Sequence, residues 1–313
     1  MAGAAEVTRV GVALALSVAL AAAVPARADA PDAAEIVRRA EDALRGNTAE
    51  MKLHMTITTP RWTRELVVRT WDDRPHDRSF VRVLEPEKDK GTAFLRDHDA
   101  FWTWLPRVER AMRIPPSMML QSWMGSDFTN DDLARESSLE KDYVAVLLPG
   151  SELDGVPAWQ LALQPKPEAP VVWAKVELWI EKARYAPLLY TYFDERGAGQ
   201  FEPLRTLRFS GVKEVQGRPL PHQWEMTPLD KPGHSTRVEL EEVVLDQKLS
   251  DEIFTQSNLR NSETARFRII SSVANTAAAS VSAVRRRLRP RLRQASVNSS
   301  ISAPPPSCAG STA

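Results

Sequence analysis

Hydrophobic and polar residues alternate over short runs along most of the chain, and this alternation constrains the fold more than any other feature. In residues 51–58, Met, Leu, Met and Ile alternate with Lys, His and Thr. Similar runs follow at 66–71, 80–84, 94–104, 108–114, 142–148, 157–164, 171–181, 186–194, 201–211, 218–228 and 236–246. Glycine- and proline-containing turns separate many of these runs, for example at Asp154-Gly155 and Gln216-Gly217. The pattern predicts about a dozen strands in a single antiparallel sheet that curls.

One long helix precedes the strands, over residues 32–45. Ile36, Val37, Ala40, Ala43 and Leu44 share one face at helical spacing. Asp32 is placed to cap the start, and Gly46 to end the helix.

The first 28 residues have the pattern of a cleaved secretory signal. Arg9 precedes an apolar run from Val10 to Val24, and Ala26-Arg-Ala28 has the small-x-small form of a peptidase site. Fifteen apolar residues are few for a membrane span, which disfavours the alternative of an uncleaved anchor. We therefore expect an exported protein that starts at Asp29, with no lipidated cysteine after the cleavage site.

Charge and cysteine content exclude several classes of protein. Of the 41 basic and 41 acidic residues, 31 and 39 fall in residues 29–260, which gives this body a net charge of −8. An acidic body argues against nucleic acid as a partner. Cys308 is the one cysteine, so neither an internal disulfide nor a cysteine-based zinc site is possible.

The stretch from Arg110 to Leu133 is unusually rich in methionine and bulky apolar residues. Pro115-Pro116 ends a strand-like run because neither proline can donate to a sheet. Thr129-Asn-Asp-Asp132 has the form of a helix N-cap with acids at the positive end. A segment of this kind between a strand and a short helix fits a plug, a lid or ordinary core.

The sequence contains few residue patterns that are typical of a catalytic or metal site. The five histidines show no metal-ligand spacing, and neither a G-x-S-x-G elbow nor a phosphate-binding glycine loop occurs. Asp127, Asp131 and Asp132 lack the alternate-position spacing of a calcium loop, and capping explains them better. We predict no enzyme and no cofactor, while a secreted hydrolase using Asp127 or Asp131 stays as an alternative.

Nine tryptophans against four tyrosines suggest a large apolar interior. A curled sheet with one helix has more inward apolar surface than that helix can cover, so a lid or an apolar ligand has to cover the rest. Methionine side chains adapt to surfaces of variable shape, which suits such a lid. The predicted wall and lid residues of this hydrophobic cavity are Trp62, Trp102, Trp104, Met112, Met118, Met119, Trp123, Met124 and Phe128.

Several segments together resemble the outer-membrane lipoprotein-sorting (LolA-like) family. The resemblance is strongest in Pro115–Met119 and Ser122–Leu133. Further matching segments, in family order over roughly residues 31–260, are Trp71, Glu85–Thr92, Trp102–Pro106, Gln164–Lys166, Glu177–Ile180 and Phe254–Leu259. The resemblance implies a mainly β fold: a half-open β-barrel with an N-terminal helix and a short helical lid, over residues 29–262.

The resemblance also implies a function. A protein of this kind carries acyl chains of lipoproteins or related lipids across the periplasm toward the outer membrane. An inner-membrane transporter of ABC or RND type would be the donor, and an outer-membrane protein the acceptor. Alternatives of the same fold are an accessory or a lipid-sensing protein that works with an RND-type exporter; a structural protein of the envelope is a third possibility.

Residues 263–313 differ in kind from the body. From residue 271 on they contain no acid and no aromatic residue, and six arginines fall within 285–293. We expect a basic disordered tail; an electrostatic contact with anionic lipid or with a partner is the functional alternative.

Overall fold

The computed structural model describes residues 31–134, 139–169, 171–197 and 199–261. The expected signal segment and basic tail lie outside these ranges. Within them, no helix is both long and apolar enough to cross a lipid bilayer.

The predicted N-terminal helix is present as α1 (Ala33–Arg45). Asp32 occupies the N-cap position, but its side chain makes no capping hydrogen bond. At the other end Gly46 has a φ of 63°, and a Cβ there would lie 2.6 Å from the Asp246 carboxylate, so the turn requires glycine. Arg74 donates to the Gly46 carbonyl at 2.8 Å and satisfies part of the helix C-terminus.

Strands make up most of the remaining structure, as the alternation predicts. They are β1 (Thr48–Thr58), β2 (Thr63–Asp73), β3 (Arg78–Glu85), β4 (Ala93–Asp97), β5 (Ala100–Leu105), β6 (Arg110–Arg113), β7 (Tyr143–Leu148), β8 (Glu152–Leu153), β9 (Val156–Pro165), β10 (Lys175–Glu181), β11 (Pro187–Glu195), β12 (Phe201–Ser210), β13 (Lys213–Val215), β14 (Arg218–Leu220), β15 (Gln223–Pro228) and β16 (Ser235–Leu245). The other α-helices are α2 (Asn130–Ala134), α3 (Leu139–Asp142) and α4 (Gln256–Arg260).

Fourteen of the described strands form one antiparallel sheet. Its order is β6-β5-β4-β3-β2-β1-β16-β15-β12-β11-β10-β9-β7, with β8 paired to β9. Two meanders, β1–β6 and β7–β12, are joined through β15 and β16. β12 pairs with β15, β15 with β16, and β16 with β1 from Ala49↔Leu245 to Thr58↔Ser235. The sheet ends at β6 and β7, which do not pair with each other, so the curled sheet is a half-open barrel.

One predicted strand is divided. The alternation predicts one strand over residues 218–228, but this run forms β14 of a separate hairpin, β13–β14, and then β15 of the large sheet. Pro221 lies between the two strands and lacks an N–H to donate to either neighbour.

Two apolar clusters cover the inner face, the face that α1 contacts. The helix-side core packs α1 against the second meander, with Ile36, Leu161, Leu178 and Tyr190 at its centre. The lid core packs residues 114–133, which we call the lid segment, against the first meander, with Met119 and Trp123 facing Leu66 and Phe94. The inner face of the sheet is thus covered by two different elements, α1 and the lid segment.

The outer face of the first meander has an apolar cluster of its own. This outer core contains Trp71, Phe80, Leu95 and Trp104, and residues 249–259 pack over it through Phe254 and Leu259. Arg82 holds residues 258–261 against the sheet by donating to the carbonyls of Asn258 and Asn261, both at 2.6 Å. The segment that ends the described body is consequently part of the fold.

Leu259→Ala should test this packing. Leu259 is fully buried, so its truncation should lower the free energy of unfolding by about 2–5 kcal/mol through lost burial and a cavity. The same substitution at Leu229, which is 49% exposed, should change it by less than about 0.5 kcal/mol. Urea denaturation of both variants measures the difference, and equal effects would contradict the packing of α4 described here.

Candidate functional site

The lid segment starts where β6 stops and crosses the inner face. After Pro115 the chain forms a 3-10 turn over Pro116–Met118, as the two prolines predict a strand end. The predicted N-cap at Thr129 is confirmed: the Asp132 N–H donates to the Thr129 hydroxyl at 3.2 Å. In return the Thr129 N–H donates to the Asp132 carboxylate at 2.7 Å, which completes a capping box with Asp in the place usual for Glu.

A buried ion pair attaches the lid segment to the sheet. Arg205 on β12 donates from both terminal nitrogens to the Asp132 carboxylate, at 2.5 and 2.7 Å. Its guanidinium also lies over the rings of Trp173 and Tyr192, at 4.2 and 4.7 Å from the centroids. Burial acts to lower the pKa of Arg205, but attraction to Asp132 outweighs it, and the pKa lies above its ordinary value. The Arg205 guanidinium therefore stays charged, and the two hydrogen bonds hold the pair in one geometry.

Two further polar contacts attach the other part of the lid segment. The Thr236 hydroxyl on β16 donates to the Asp127 carboxylate at 2.7 Å and accepts from the Asp127 N–H at 2.9 Å. Arg64 on β2 donates to the Met124 carbonyl at 3.0 Å and to Asp89 at 2.6 Å. Cross-strand register places Arg64, Thr236 and Arg205 on the inner face, so three strands each hold the lid by a polar side chain.

The nine predicted wall and lid residues fall into different places. Met119 and Trp123 are buried on the side of the lid segment that faces the sheet, with the Trp123 ring 5.5 Å from that of Phe94, while Met124 and Phe128 are half-buried beside them. Met112, Met118 and Trp62 are exposed at the surface, and Trp62 lies next to Gly125. Trp102 and Trp104 belong to the outer core, on the face opposite Phe101.

A cavity of about 240 Å³ lies on the inner face between the lid segment, α1 and the second meander. Phe128 is the member of the predicted set that lines it. Leu44 of α1 and a row of apolar sheet residues form most of the wall: Val176, Tyr190, Tyr192, Leu207, Phe209, Trp224 and Met226. The cavity is thus mainly apolar and mainly built by strands β10–β12 and β15.

Charged groups border the cavity on the helix and lid sides. Glu41 is 2% exposed, pairs with Arg45 at 3.3 Å and accepts from the Leu139 N–H at 2.7 Å. Asp131 and Asp132 line the opposite border, where Asp132 is held by Arg205. Glu41 and Asp132 are paired, as buried charges have to be.

Sequence reasoning missed the strand residues of the cavity. Arg205, Leu207 and Phe209 alternate along β12 and therefore share the inner face. An arginine that alternates with two apolar residues on one face of a strand is a signal of a buried ion pair. Its partner, Asp132, lies 73 residues away along the chain, and no local pattern indicates that pairing.

The acidic residues of the lid segment have structural partners. Asp127 bonds to Thr236, and Asp132 bonds to both Thr129 and Arg205. Among the described residues, no group of three or more His, Cys, Asp or Glu side chains has the arrangement of a metal site. These contacts support a structural role for Asp127 and Asp132: they cap α2 and attach the lid segment to the sheet.

Asp132→Ala should strongly destabilise the protein, because it leaves the buried Arg205 without its carboxylate. We expect the free energy of unfolding to fall by about 3–5 kcal/mol. Asp154→Ala is the matched control, since Asp154 pairs at 2.8 Å with Arg208 on the same strand, but at an exposed site, and its loss should cost about 0–1 kcal/mol. Similar losses in urea denaturation would mean that the Arg205 pair contributes no more than a surface pair.

A family model described as an uncharacterized protein matches residues 75–261 of the chain. This match covers more than half of the sequence and includes the lid segment and most of the sheet. No curated protein is significantly similar to the chain.

Three solved structures share the fold. A protein domain from Vibrio parahaemolyticus described as outer membrane lipoprotein-sorting has a TM-score of 0.63 and 23% identity, over 73% of this chain and 98% of its own. A DUF1329 family protein from Desulfovibrio piger has a TM-score of 0.65 and 22% identity, over 72% and 97%. A LolA superfamily protein from Nitrosomonas europaea has a TM-score of 0.62 and 21% identity, over 73% and 100%. The likeness establishes the fold and confirms the predicted half-open barrel.

Proposed function

We propose a carrier function on two premises: the chain belongs to the family of uncharacterized proteins whose model matches residues 75–261, and its fold is LolA-like. On these premises the protein is an exported carrier of acyl chains, from lipoproteins or related lipids, in the periplasm. The observation that carries the proposal is an apolar cavity on the inner face of the sheet, bordered by a separate lid segment.

As it stands in the structure, the cavity is large enough for part of an acyl chain. Its volume of about 240 Å³ exceeds the roughly 150 Å³ of an apolar cavity that binds benzene. It is smaller than the roughly 300–1,000 Å³ of pockets that enclose a drug-sized ligand. A longer chain therefore requires the cover to move. Beyond Ile114, whose N–H donates to the Phe101 carbonyl of β5, the hydrogen bonds between the lid segment and the sheet each use a sheet side chain, so the segment can move without breaking the strand ladder.

The proposed partners follow from the carrier role. An inner-membrane transporter of ABC or RND type would donate the cargo, and an outer-membrane acceptor would receive it. An accessory or lipid-sensing protein working with an RND-type exporter is the second candidate, because the same cavity would serve detection as well as transport. We propose no catalytic role and no cofactor, with residues 29–262 as the lipid-binding domain.

Lipid should copurify with the protein when detergent is omitted. Mass spectrometry of the extracted lipids should detect acyl chains in the wild type and far less in Leu207→Phe. Leu207 lines the cavity, and the larger ring fills it at a cost of about 1–3 kcal/mol in stability.

Leu229→Phe is the control for that experiment, since Leu229 lies on the surface in the turn after β15. It should retain the wild-type amount of lipid. If the wild type copurifies without lipid, or if Leu207→Phe and Leu229→Phe retain equal amounts of lipid, the protein is not a carrier that uses this cavity.

Trp123→Glu tests whether the lid segment is a movable cover. If the lid opens, the carboxylate can reach water, so lipid binding should be lost while the melting temperature falls only slightly. If Trp123 is permanent core, an unpaired buried carboxylate should cost several kcal/mol and unfold much of the protein. Met119→Glu should behave in the same way. Lipid binding and thermal melting are measured on each variant, and a folded variant that binds normally would contradict the lid assignment.

A further inference from the structure

We propose that the β5–β6 hairpin docks the protein on the surface of a lipid bilayer that contains anionic phospholipids. The docking surface consists of residues 107–113, which form the turn of the hairpin and the edge strand β6. Its arginines contact lipid phosphates, and its exposed apolar side chains enter the boundary between head groups and acyl chains. None of these residues lines the cavity, so the proposal goes beyond the carrier function.

The first observation is the exposure of large apolar side chains on and next to this hairpin. Val108, in the turn, is 63% exposed, and Met112, on β6, is 38% exposed. Leu120, in the lid segment that follows β6, is 60% exposed. Among the residues that the structure describes, Val108 and Leu120 are the two most exposed large hydrophobic residues. Such side chains gain free energy when a partner or a membrane removes them from water.

The second observation is a set of arginines without partners. Arg107, Arg110 and Arg113 are exposed, and none of them pairs with a carboxylate among the described residues. Other exposed arginines of the protein are paired, as Arg208 is with Asp154 at 2.8 Å. The three guanidinium groups of the hairpin are therefore available to an anionic partner, and a phosphate group is an anion that arginine binds well.

The local charge is opposite in sign to that of the rest of the body. Residues 100–126 contain these three arginines and one acid, Glu109, so their net charge is +2. Residues 29–260 carry −8 in total, and the remainder of this body therefore has a net charge of −10. An anionic membrane attracts the hairpin and repels the rest of the body, which favours one orientation at the bilayer.

The backbone of β6 argues for a membrane as the partner and against an added protein strand. β6 is an edge of the sheet, but it has four residues, two of them arginine, and Pro115 and Pro116 follow it closely. Short, charged edge strands next to proline are poor templates for a further strand. The hairpin thus offers side chains to a partner, and cations interleaved with apolar residues match the polar and apolar layers of a bilayer surface.

Site-specific labelling tests the proposal. In the full-length exported chain with Cys308→Ser, Val108→Cys is labelled with the environment-sensitive fluorophore NBD. Vesicles of phosphatidylglycerol and phosphatidylcholine in equal parts should raise the fluorescence at least about twofold, because residue 108 enters an apolar layer. Vesicles of phosphatidylcholine alone should give a much smaller rise, since they lack the anionic lipid that attracts the arginines.

Val146→Cys is the matched control for the label. Val146 is 57% exposed on β7, which is the opposite edge of the sheet and carries no charged residue. A label there should not respond to either kind of vesicle. The arginines of residues 285–293 are present in both proteins, so membrane binding through them alone does not distinguish the two positions.

Removal of the three hairpin arginines tests the electrostatic part. Arg107, Arg110 and Arg113 are replaced together by alanine in the chain labelled at residue 108. At about 1 kcal/mol per arginine near an anionic surface, the half-saturating concentration of anionic vesicles should rise roughly a hundredfold. The control replaces three exposed arginines elsewhere, at positions 184, 196 and 208, and changes the net charge by the same amount. It should leave the half-saturating concentration nearly unchanged.

The remaining outcomes would overturn the proposal. They are no response at residue 108 to anionic vesicles, an equal response at residues 108 and 146, and equal weakening by the two sets of arginine substitutions. A label at residue 108 that responds as strongly to soluble polyglutamate would assign the surface to an acidic polypeptide instead. Copurified lipid without a vesicle response keeps the carrier function, and a vesicle response without copurified lipid keeps the docking surface.

Discussion

The apolar inner face of the large sheet has to be covered, and the rest of the structure depends on how this is done. A helix of 13 residues, α1, covers only the second meander. The first meander is covered by the lid segment, which has little regular structure and so cannot satisfy its own backbone as a long helix does. The gap between the two covers is the cavity. A larger helix in place of the lid would cover the sheet and leave no space for a ligand.

Polar side chains from the sheet hold the lid where hydrophobic contact alone would not fix its position. Arg64, Thr236 and Arg205 all extend from the inner face, and each binds a backbone or carboxylate group of the lid segment. Such groups are costly on an apolar face unless they are paired, so each one specifies a single position of the lid. Hydrophobic packing of Met119 and Trp123 then adds stability to a position that the polar pairs determine.

Sequence alone predicted much of this architecture, and the failures have physical reasons. The strong period of two located most of the strands, and the Thr129 capping box followed from its residue types. The sequence did not indicate which face of the sheet Trp102 and Trp104 occupy, because β5 has apolar residues on both faces. Phe101 faces the lid segment, and Trp104 faces residues 249–259. Alternation tells which residues share a face but not which face is inside. The cavity was predicted, but most of its wall residues were not, because the wall combines strands distant in sequence that each contribute one or two residues.

On the proposed carrier function, the energy of acyl-chain binding limits which contacts can change when an acyl chain enters the cavity. Burying fourteen methylenes gains roughly 11 kcal/mol at about 0.8 kcal/mol each. Loss of translational freedom and ordering of side chains oppose this by an estimated 4–15 kcal/mol. Separating Arg205 from Asp132 would cost about 3–5 kcal/mol more, which is comparable to the whole surplus for a single chain. A route that keeps this pair intact is therefore favoured for one chain. On the same proposal, several chains would give a larger surplus than one, so the number of acyl chains in the cargo would decide how far the lid segment opens.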